Sequence, residues 1–207
     1  MTLTTVRKYD LPDSYLYENN IDTPLIKVWI PENMCIVLGR SNNLTDSLFI
    51  ENINNNKIPV YKRPSGGETV LLTPKTLIVS IVMNQSGFNG GKIYFKMINN
   101  KIIDSLNSLG INNLHNRGIS DIAINDVKIL GSALYQNKDV VFYHAVLNVS
   151  ESIGLIEKYI KHPNREPDYR KNRSHQDFVT SLAKENYSID IDEIKIALEK
   201  GLSNLQF

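Results

Sequence analysis

Three short stretches hold residues that can act on a charged ligand. The first, "KRPSGGETVLL" at 62–72, sets Arg63 just ahead of Ser65-Gly66-Gly67, with Glu68 and Thr69 following. Glycine reaches positive φ without steric cost and leaves backbone N–H groups uncovered, so a glycine corner between strands can form an anion-binding hollow. Arg63 adds a fork of donors suited to phosphate or carboxylate. A tight turn with a surface arginine is the competing reading. The second stretch, "SDIAINDVKILGSAL" at 120–134, starts one strand at Asp121 and its hairpin partner near Lys128. Gly131 and Ser132 then interrupt an apolar run, and glycine inside a strand often marks close approach by a ligand or another backbone. Alternation puts Lys128 on the face opposite Val127 and Ile129, and an ordinary cross-strand pair with Asp121 is the alternative use of that lysine. In the third stretch, "VVFYHAVLNV" at 140–149, His144 lies in a strong strand with Asn148 four positions on, on the same face. No H-x-H or H-E-x-x-H spacing surrounds it, which argues against a built zinc site and leaves a satisfied core histidine as the simple reading.

These residues need a scaffold, and the apolar patterning supplies one. "LIKVWI" (25–30) and "MCIVLG" (34–39) predict a hairpin across "PENM". "LTDSLFIENIN" predicts a helix capped by Asn or Ser. "IPVYKR" (58–63) and "ETVLL" (68–72) read as strands on either side of the glycine corner, and "TLIVSIVM" (76–83) as a buried strand. Tyr94, Ile98, Ile102, Leu106 and Leu109 recur three or four apart, which predicts an amphipathic helix over 90–110 with Gly110 at its C-terminal cap. Strands over 121–125, 127–134 and 140–149 follow, then helices over 151–160, 174–183 and 192–202. About eight strands, mostly meandering, predict an α+β fold of mainly antiparallel sheets with packed helices. Strands do not alternate regularly with helices, and neither G-x-x-x-x-G-K-[ST] nor G-x-G-x-x-G occurs, which argues against a doubly wound nucleotide-binding fold.

Composition sets the remaining bounds. The chain has 207 residues, 42% of them hydrophobic, enough for one core with a small appendage. The expected division is a catalytic-type core over 1–160 and a helical extension over 161–207 packed on the same domain. Lysine plus arginine number 23 against 22 aspartates and glutamates, which supplies no concentrated field for nonspecific nucleic-acid binding. The single Cys35 excludes an internal disulfide and a cysteine-rich metal site, and within "MCIVLG" it reads as a buried structural thiol. "MTLTTVRKYD" lacks the apolar core of a signal peptide, and no apolar run approaches the roughly 20 residues of a membrane helix. A cytoplasmic protein without membrane or nucleic-acid partners is the expectation. The polar segment 161–173 carries Lys161, Arg165, Arg170, Lys171 and Arg173, as a solvated connector or as a docking rim.

Taken in order, these stretches resemble the catalytic domain shared by lipoate–protein ligases, octanoyltransferases and biotin–protein ligases, and are most similar to the lipoate ligase A branch. The family's arginine, spacer and glycine run is matched by Arg63 and Ser65-Gly66-Gly67. Its Asn-Asp-Ile strand start, turn and Lys-Ile-x-Gly-Ser-Ala strand are matched by 120–134, its histidine by "YHAVLNV", and its Ile-Gly-Arg-x-Gln-Asn turn by "IVLGRSNN". The match runs from about residue 25 to 150.

The resemblance implies a class II synthetase-like fold and ATP-dependent activation of lipoate or octanoate as an acyl-adenylate. It implies Lys128 as the catalytic cation, and Arg63, Ser65, Gly66, Gly67, Thr69, Asp121, Gly131, Ser132 and His144 as substrate or nucleotide contacts. It also implies Mg2+ at Asp121 and a lipoyl carrier protein as acceptor, and either a separate accessory subunit or a small built-in substitute from about residue 160 onward in place of the full C-terminal accessory domain of longer ligases. Arg170 and Arg173 are candidate phosphate or carrier contacts. Three departures stand out: Glu68 for a third glycine, Leu72 for histidine, and Ser120 for asparagine. They leave open a non-catalytic binding or assembly protein. Acyl transfer between carriers is the other alternative, but it needs a nucleophilic cysteine, and Cys35 is not at the family's nucleophile positions.

Overall fold

The computed structural model describes residues 4–17, 24–85, 90–203 and 205, so the outermost residues of the expected 1–160 and 161–207 units lie outside it. Two sheets carry the site. The larger has six strands, ordered Leu25–Trp29 (β2), Thr76–Asn84 (β6), Val140–Asn148 (β10), Val127–Gln136 (β9), Asp121–Ile124 (β8) and Leu114–Arg117 (β7), every neighbour antiparallel. The smaller has Val6–Lys8 (β1), Val60–Lys62 (β4), Cys35–Leu38 (β3) and Val70–Leu72 (β5); β1/β4 and β4/β3 are parallel, β3/β5 antiparallel.

The near-continuous apolar run of β6 follows from burial on both faces. Leu77, Val79, Ile81 and Met83 join the core formed with Tyr94, Ile98, Ile102 and Leu106 of the helix Gly91–Asn107 (α3). Ile78, on the other face, packs with Trp29, Cys35, Val37 and Leu72 between the sheets. The helix Ile191–Leu202 (α6) adds Ile194, Leu198 and Leu202 to the α3 side. Gly201 of α6 lies so close to Ser105 of α3 that a Cβ would fall 2.0 Å from Ser105 Oγ. The α3 helix ends at Asn107 with Ser108 as cap, and Gly110 (φ +80°) turns the chain out two residues later.

Several expectations change. The runs 25–30 and 34–39 do not form a hairpin: β2 pairs with β6 and β3 with β4 and β5. Trp29, Cys35 and Val37 meet as side chains across the space between sheets, so "PENM" carries the chain from one layer to the other. The helix over 44–54 is two, Leu44–Ser47 (α1, capped by Asn43) and Ile50–Asn55 (α2). Fully buried Leu48 bridges to Ile160, and Phe49 N–H bonds Tyr159 O, interrupting the helical ladder. The helix over 174–183 stops at Phe178 (α5, His175–Phe178), because Val179 pairs with Lys128 and Thr180 N–H bonds Lys128 O. The helix after β10 spans Ile153–Tyr159 (α4). Sequence patterning missed β1 and β7; both are short edge strands, and "LHNR" has no apolar alternation. Among the described residues no helix is long and apolar enough to cross a membrane.

Candidate functional site

Because β4 and β5 flank β3 on opposite sides, the chain from Lys62 to Val70 must pass over the end of β3. The glycine loop makes that crossing, and Arg63 holds its shape. The Arg63 side chain is 4% exposed and donates four hydrogen bonds to backbone carbonyls: Nε and Nη2 to Gly66 O (3.2 and 2.7 Å), Nη2 to Glu68 O (2.9 Å) and Nη1 to Val37 O (3.3 Å). Its donors therefore clip the loop and are not extended into open space as a surface fork. Among the described residues it forms no ion pair, and burial lowers its pKa to about 10, still protonated at neutral pH. The loop thus encloses a positive charge that meets no carboxylate directly, the nearby Glu68 acting on it only at longer range.

Glycine is required at two of these positions. Gly67 has φ +85° and passes over Ala133, where a Cβ would lie 3.2 Å from Ala133 Cβ and 2.9 Å from Arg63 Nη2. A Cβ on Gly39 would fall 1.9 Å from Gly67 O. The turn "IVLGRSNN" buttresses the loop: Asn42 Oδ1 accepts from Gly39 N–H (3.1 Å), and Asn42 Nδ2 donates to Glu68 Oε2 (3.2 Å). Glu68 is thereby turned sideways onto Asn42. Ser65, fully buried, hydrogen-bonds His144 Nε2 at 2.8 Å, tying the loop to β10. Burial first, and the Arg63 charge second, hold His144 well below the usual histidine range, so this ring is neutral. Gly66 has open space around it, and the Thr69 hydroxyl, buried at the cavity wall, has no hydrogen-bond partner.

The Lys128 strand depends on a register shift. Asp121 pairs with Gly131 and Ile122 with Leu130, but Ala123 pairs with Lys128, leaving Ile129 as the extra residue of a bulge. A bulge reverses the alternation beyond it and re-aims side chains. Strict alternation would set Lys128 and Gly131 on opposite faces; the bulge puts them on one. The lysine lies along the strand over Gly131, where a Cβ would meet Lys128 Cε and Nζ at 2.6 Å, and Nζ reaches Asp121 Oδ1 at 2.8 Å. Gly131 is the space for the lysine tail. With Gly67 over Ala133 and the ammonium over Gly131, loop and cation stand about 7 Å apart along β9, two residues of strand.

The cross-strand pair of Lys128 with Asp121 is formed, and both residues line the cavity. Asp121, 5% exposed, uses its other oxygen to accept from Tyr169 O–H at 2.8 Å. Ser132 lines the cavity; its hydroxyl donates to Ser120 O (2.5 Å) and its N–H bonds the same carbonyl (3.1 Å), which fixes the turn before Asp121. Asn148 is likewise engaged with the Glu151 backbone.

Segment 161–173 folds over the opening as a strap. Arg170 is 4% exposed; Nε donates to Arg173 O (3.0 Å) and lies 3.5 Å from Glu166, and Nη2 donates to His162 Nδ1 at 3.4 Å. Arg173 donates to the carbonyls of Arg170, Asp177, Asp126 and Tyr169. Both guanidinium groups lie over the Phe178 ring, at 4.8 and 5.2 Å. As an exposed docking charge, Arg170 is corrected: burial over Phe178 and its ion pair make it structural. Arg165 and Lys171 remain exposed.

Between loop, sheet and strap lies a cavity of about 660 Å³. Val37, Val70, Leu72, Ile78 and Val146 give it an apolar wall, with Leu72 in place of a polar group. Cys35 is not among the lining residues, and burial pushes its thiol up to about 11. No cluster of three or more His, Cys, Asp or Glu gathers to hold a metal among the described residues. Asp121, the expected Mg2+ ligand, has one oxygen on Lys128 and the other on Tyr169, and no such cluster forms around it among the described residues. Sequence reasoning missed Tyr169, in a segment read for its charges, and Asp13, fully buried behind the loop, which accepts from Tyr9 O–H (2.7 Å) and Ser80 Oγ–H (2.5 Å).

Residues 11–203 match the family described as lipoyl protein ligase A/B catalytic domain. The chain is 25% identical over 214 residues to lipoate–protein ligase 1 of Plasmodium falciparum, an alignment covering 97% of this chain and 44% of that protein. It spans less than half the length of the first curated relatives it matches. Its fold is shared with a structure described as a bi-partite lipoate protein ligase and its E2 lipoyl domain, from the archaeal lipoylation system of Thermoplasma acidophilum (TM-score 0.77, 21% identity, 88% of this chain, 71% of that one). The fold is also that of a lipoate–protein ligase A bound with ATP (TM-score 0.77, 20% identity, 97% and 83%).

Proposed function

The chain belongs to the lipoyl protein ligase A/B catalytic domain family, and from that premise we propose that it activates lipoate or octanoate with ATP and passes the acyl group to a lysine of a lipoyl carrier protein. The observation that carries this reading is Lys128, laid over Gly131 by the bulge, two residues along β9 from Ala133 where the glycine loop crosses, both lining one cavity. The acyl chain lies along the apolar wall, and its carboxylate reaches the gap between loop and lysine. A carboxylate oxygen attacks the α-phosphorus of ATP, the bond to the β-phosphate oxygen breaks, and pyrophosphate leaves with that electron pair. Fixed donors and cations lower the barrier where charge develops; here these are Lys128 Nζ, the loop N–H groups and the Thr69 hydroxyl, with the Arg63 charge beneath. The carrier amine, having lost its ammonium proton to solvent, then attacks the acyl carbon, AMP departs with the C–O pair, and the new amide nitrogen gives up its extra proton to solvent. Mg2+ brought in on the phosphates would meet Asp121 and neutralise phosphate charge.

The departures from the family pattern are compatible with this chemistry. Glu68 is tied to Asn42, Leu72 extends the apolar wall, and Ser120 contributes a carbonyl to Ser132. Cysteine-dependent acyl transfer is not favoured, because Cys35 lies outside the cavity and its thiol is kept protonated. The relatives' names support lipoate as substrate, and the archaeal bi-partite system supports a lipoyl domain and an accessory subunit as partners. Incubation with ATP, Mg2+ and lipoate or octanoate is expected to yield acyl-AMP, and then acylated carrier when a lipoyl domain is added. No acyl-AMP, with carrier and accessory subunit present, sinks the reading.

A further inference from the structure

Lys128 does not stand free. Its charge is held by Asp121 Oδ1 at 2.8 Å, so an incoming anion must compete with that carboxylate. The strength of the hold depends on the other oxygen, and the strap brings Tyr169 to it, O–H to Oδ2 at 2.8 Å. Burial and then the Asp121 charge push the Tyr169 phenol far above its usual range, so it acts there as a donor. The placement of this one hydroxyl is heavily determined. Arg173 Nη2 bonds the Tyr169 carbonyl, Arg170 and Arg173 bond each other's carbonyls, and the ring rests 5.0 Å from Phe178 and 5.4 Å from the Arg117 guanidinium. Gly118, at φ +57°, passes close beneath: a Cβ there would lie 3.5 Å from Tyr169 Cε1.

We propose that Tyr169 is a positioning residue which, by sharing the Asp121 carboxylate, keeps Lys128 tethered over Gly131 yet releasable to an anion in the cavity. A carboxylate that accepts a second, strong hydrogen bond holds its first partner less tightly, and charge-assisted bonds are the stronger kind. Without the phenol, Asp121 grips Lys128 harder and also presents a bare charge to the anion; both effects weaken anion binding. The inference rests on reading Lys128 as the ligand-facing cation.

The test is a double-mutant cycle read by calorimetric titration with inorganic pyrophosphate, which needs no turnover. Tyr169→Phe keeps the ring and its contacts, and is expected to bind pyrophosphate about fivefold more weakly than the wild type, less than the roughly tenfold or more that losing a direct hydrogen bond to a charged group brings, because the phenol acts on the anion only through Asp121. Asp121→Asn removes the competing charge, so it is expected to bind at least as tightly as the wild type. Adding Tyr169→Phe to it is expected to change nothing, since residues acting through one partner are non-additive. A merely structural strap residue gives the same loss in both backgrounds, which overturns the proposal. So does unchanged or tighter binding by Tyr169→Phe, or a wild type that binds no pyrophosphate. If the cycle holds while no acyl-AMP forms from lipoate or octanoate, the ligase reading fails and the role of Tyr169 stands.

Discussion

The two lips of the cavity use the same device for different ends. On one side, buried Arg63 clips the glycine loop through its carbonyls; on the other, buried Arg170 and half-buried Arg173 clip the strap through its carbonyls. Arg170 is matched by Glu166, whereas Arg63 forms no ion pair among the described residues, and the loop beside it holds an orphan hydroxyl at Thr69. An unpaired buried charge costs stability and persists where something else compensates it. The comparison separates a lip that carries an arginine without an ion pair, where we propose the anion binds, from a lip whose paired arginine helps place Tyr169 on Asp121.

The largest expected effect lies between the lips. Lys128→Ala is expected to lower acyl-AMP formation about 100- to 1,000-fold, as for loss of an oriented charge-stabilising group, while Lys138→Ala, on an exposed turn, leaves it unchanged. Equal rates for both variants would break the assignment. Next comes Gly131→Ala: the new methyl clashes with the far end of the Lys128 side chain and touches Asp121 Oδ1 at ordinary contact distance, with no backbone in the way, so the melting temperature should hold while the rate falls about 10- to 100-fold from misplacement of the ammonium.

The lips themselves are compared with Arg63→Lys and Arg170→Lys. Each loses carbonyl bonds that a lysine cannot span, and each is expected to lose about 2–3 kcal/mol of stability. Arg63→Lys should also weaken pyrophosphate binding several-fold, since its loop faces the anion, whereas Arg170→Lys should weaken it less. The reverse ranking would exchange the roles of the two lips. A smaller effect is expected from Arg165→Glu with Lys171→Glu, the exposed charges of the strap. Carrier modification should slow a few-fold at low salt, with acyl-AMP formation unchanged, and the difference should shrink as salt screens it. Identical salt profiles would remove docking from this lip.

The smallest effect is on pH dependence. His144 beside the loop sits well below the usual range, and His175 beside the strap is pushed down to about 4 by burial and then by Arg170. The unfolded chain takes up protons near pH 6.5 that these folded rings refuse. Their contribution is therefore complete above about pH 6.5 and is lost as pH falls toward 4. Buried Asp13, raised by desolvation, works in the opposite direction and is lost as pH rises through its folded value. The melting temperature is expected to drop from pH 7.5 to 5, and His175→Gln should flatten part of that drop. A flat profile in the wild type would contradict the depressed histidines.

What the sequence by itself determined was local or ordered along the chain. The 3.6-residue period of α3, the buried run of β6, the glycine corner beside Arg63 and the Gly131 break were all legible, because each is written in neighbouring residues. Their order along the chain led to the family before any contact was known. The tertiary structure decided what depends on partners distant in sequence. "LIKVWI" and "MCIVLG" look like a hairpin until β6 and β4 compete for their hydrogen bonds. Lys128 faces Gly131 only because pairing with β8 places a bulge at Ile129, and alternation alone cannot register one extra residue. Glu68 could point at phosphate or away from it until Asn42, 26 positions earlier, fixed its direction. Arg170 read as a surface charge because basic residues usually are; Phe178 and Glu166 buried it. Tyr169 carried no signal at all, since its meaning lies in Asp121, 48 residues away, and in the two arginines that hold the strap against it.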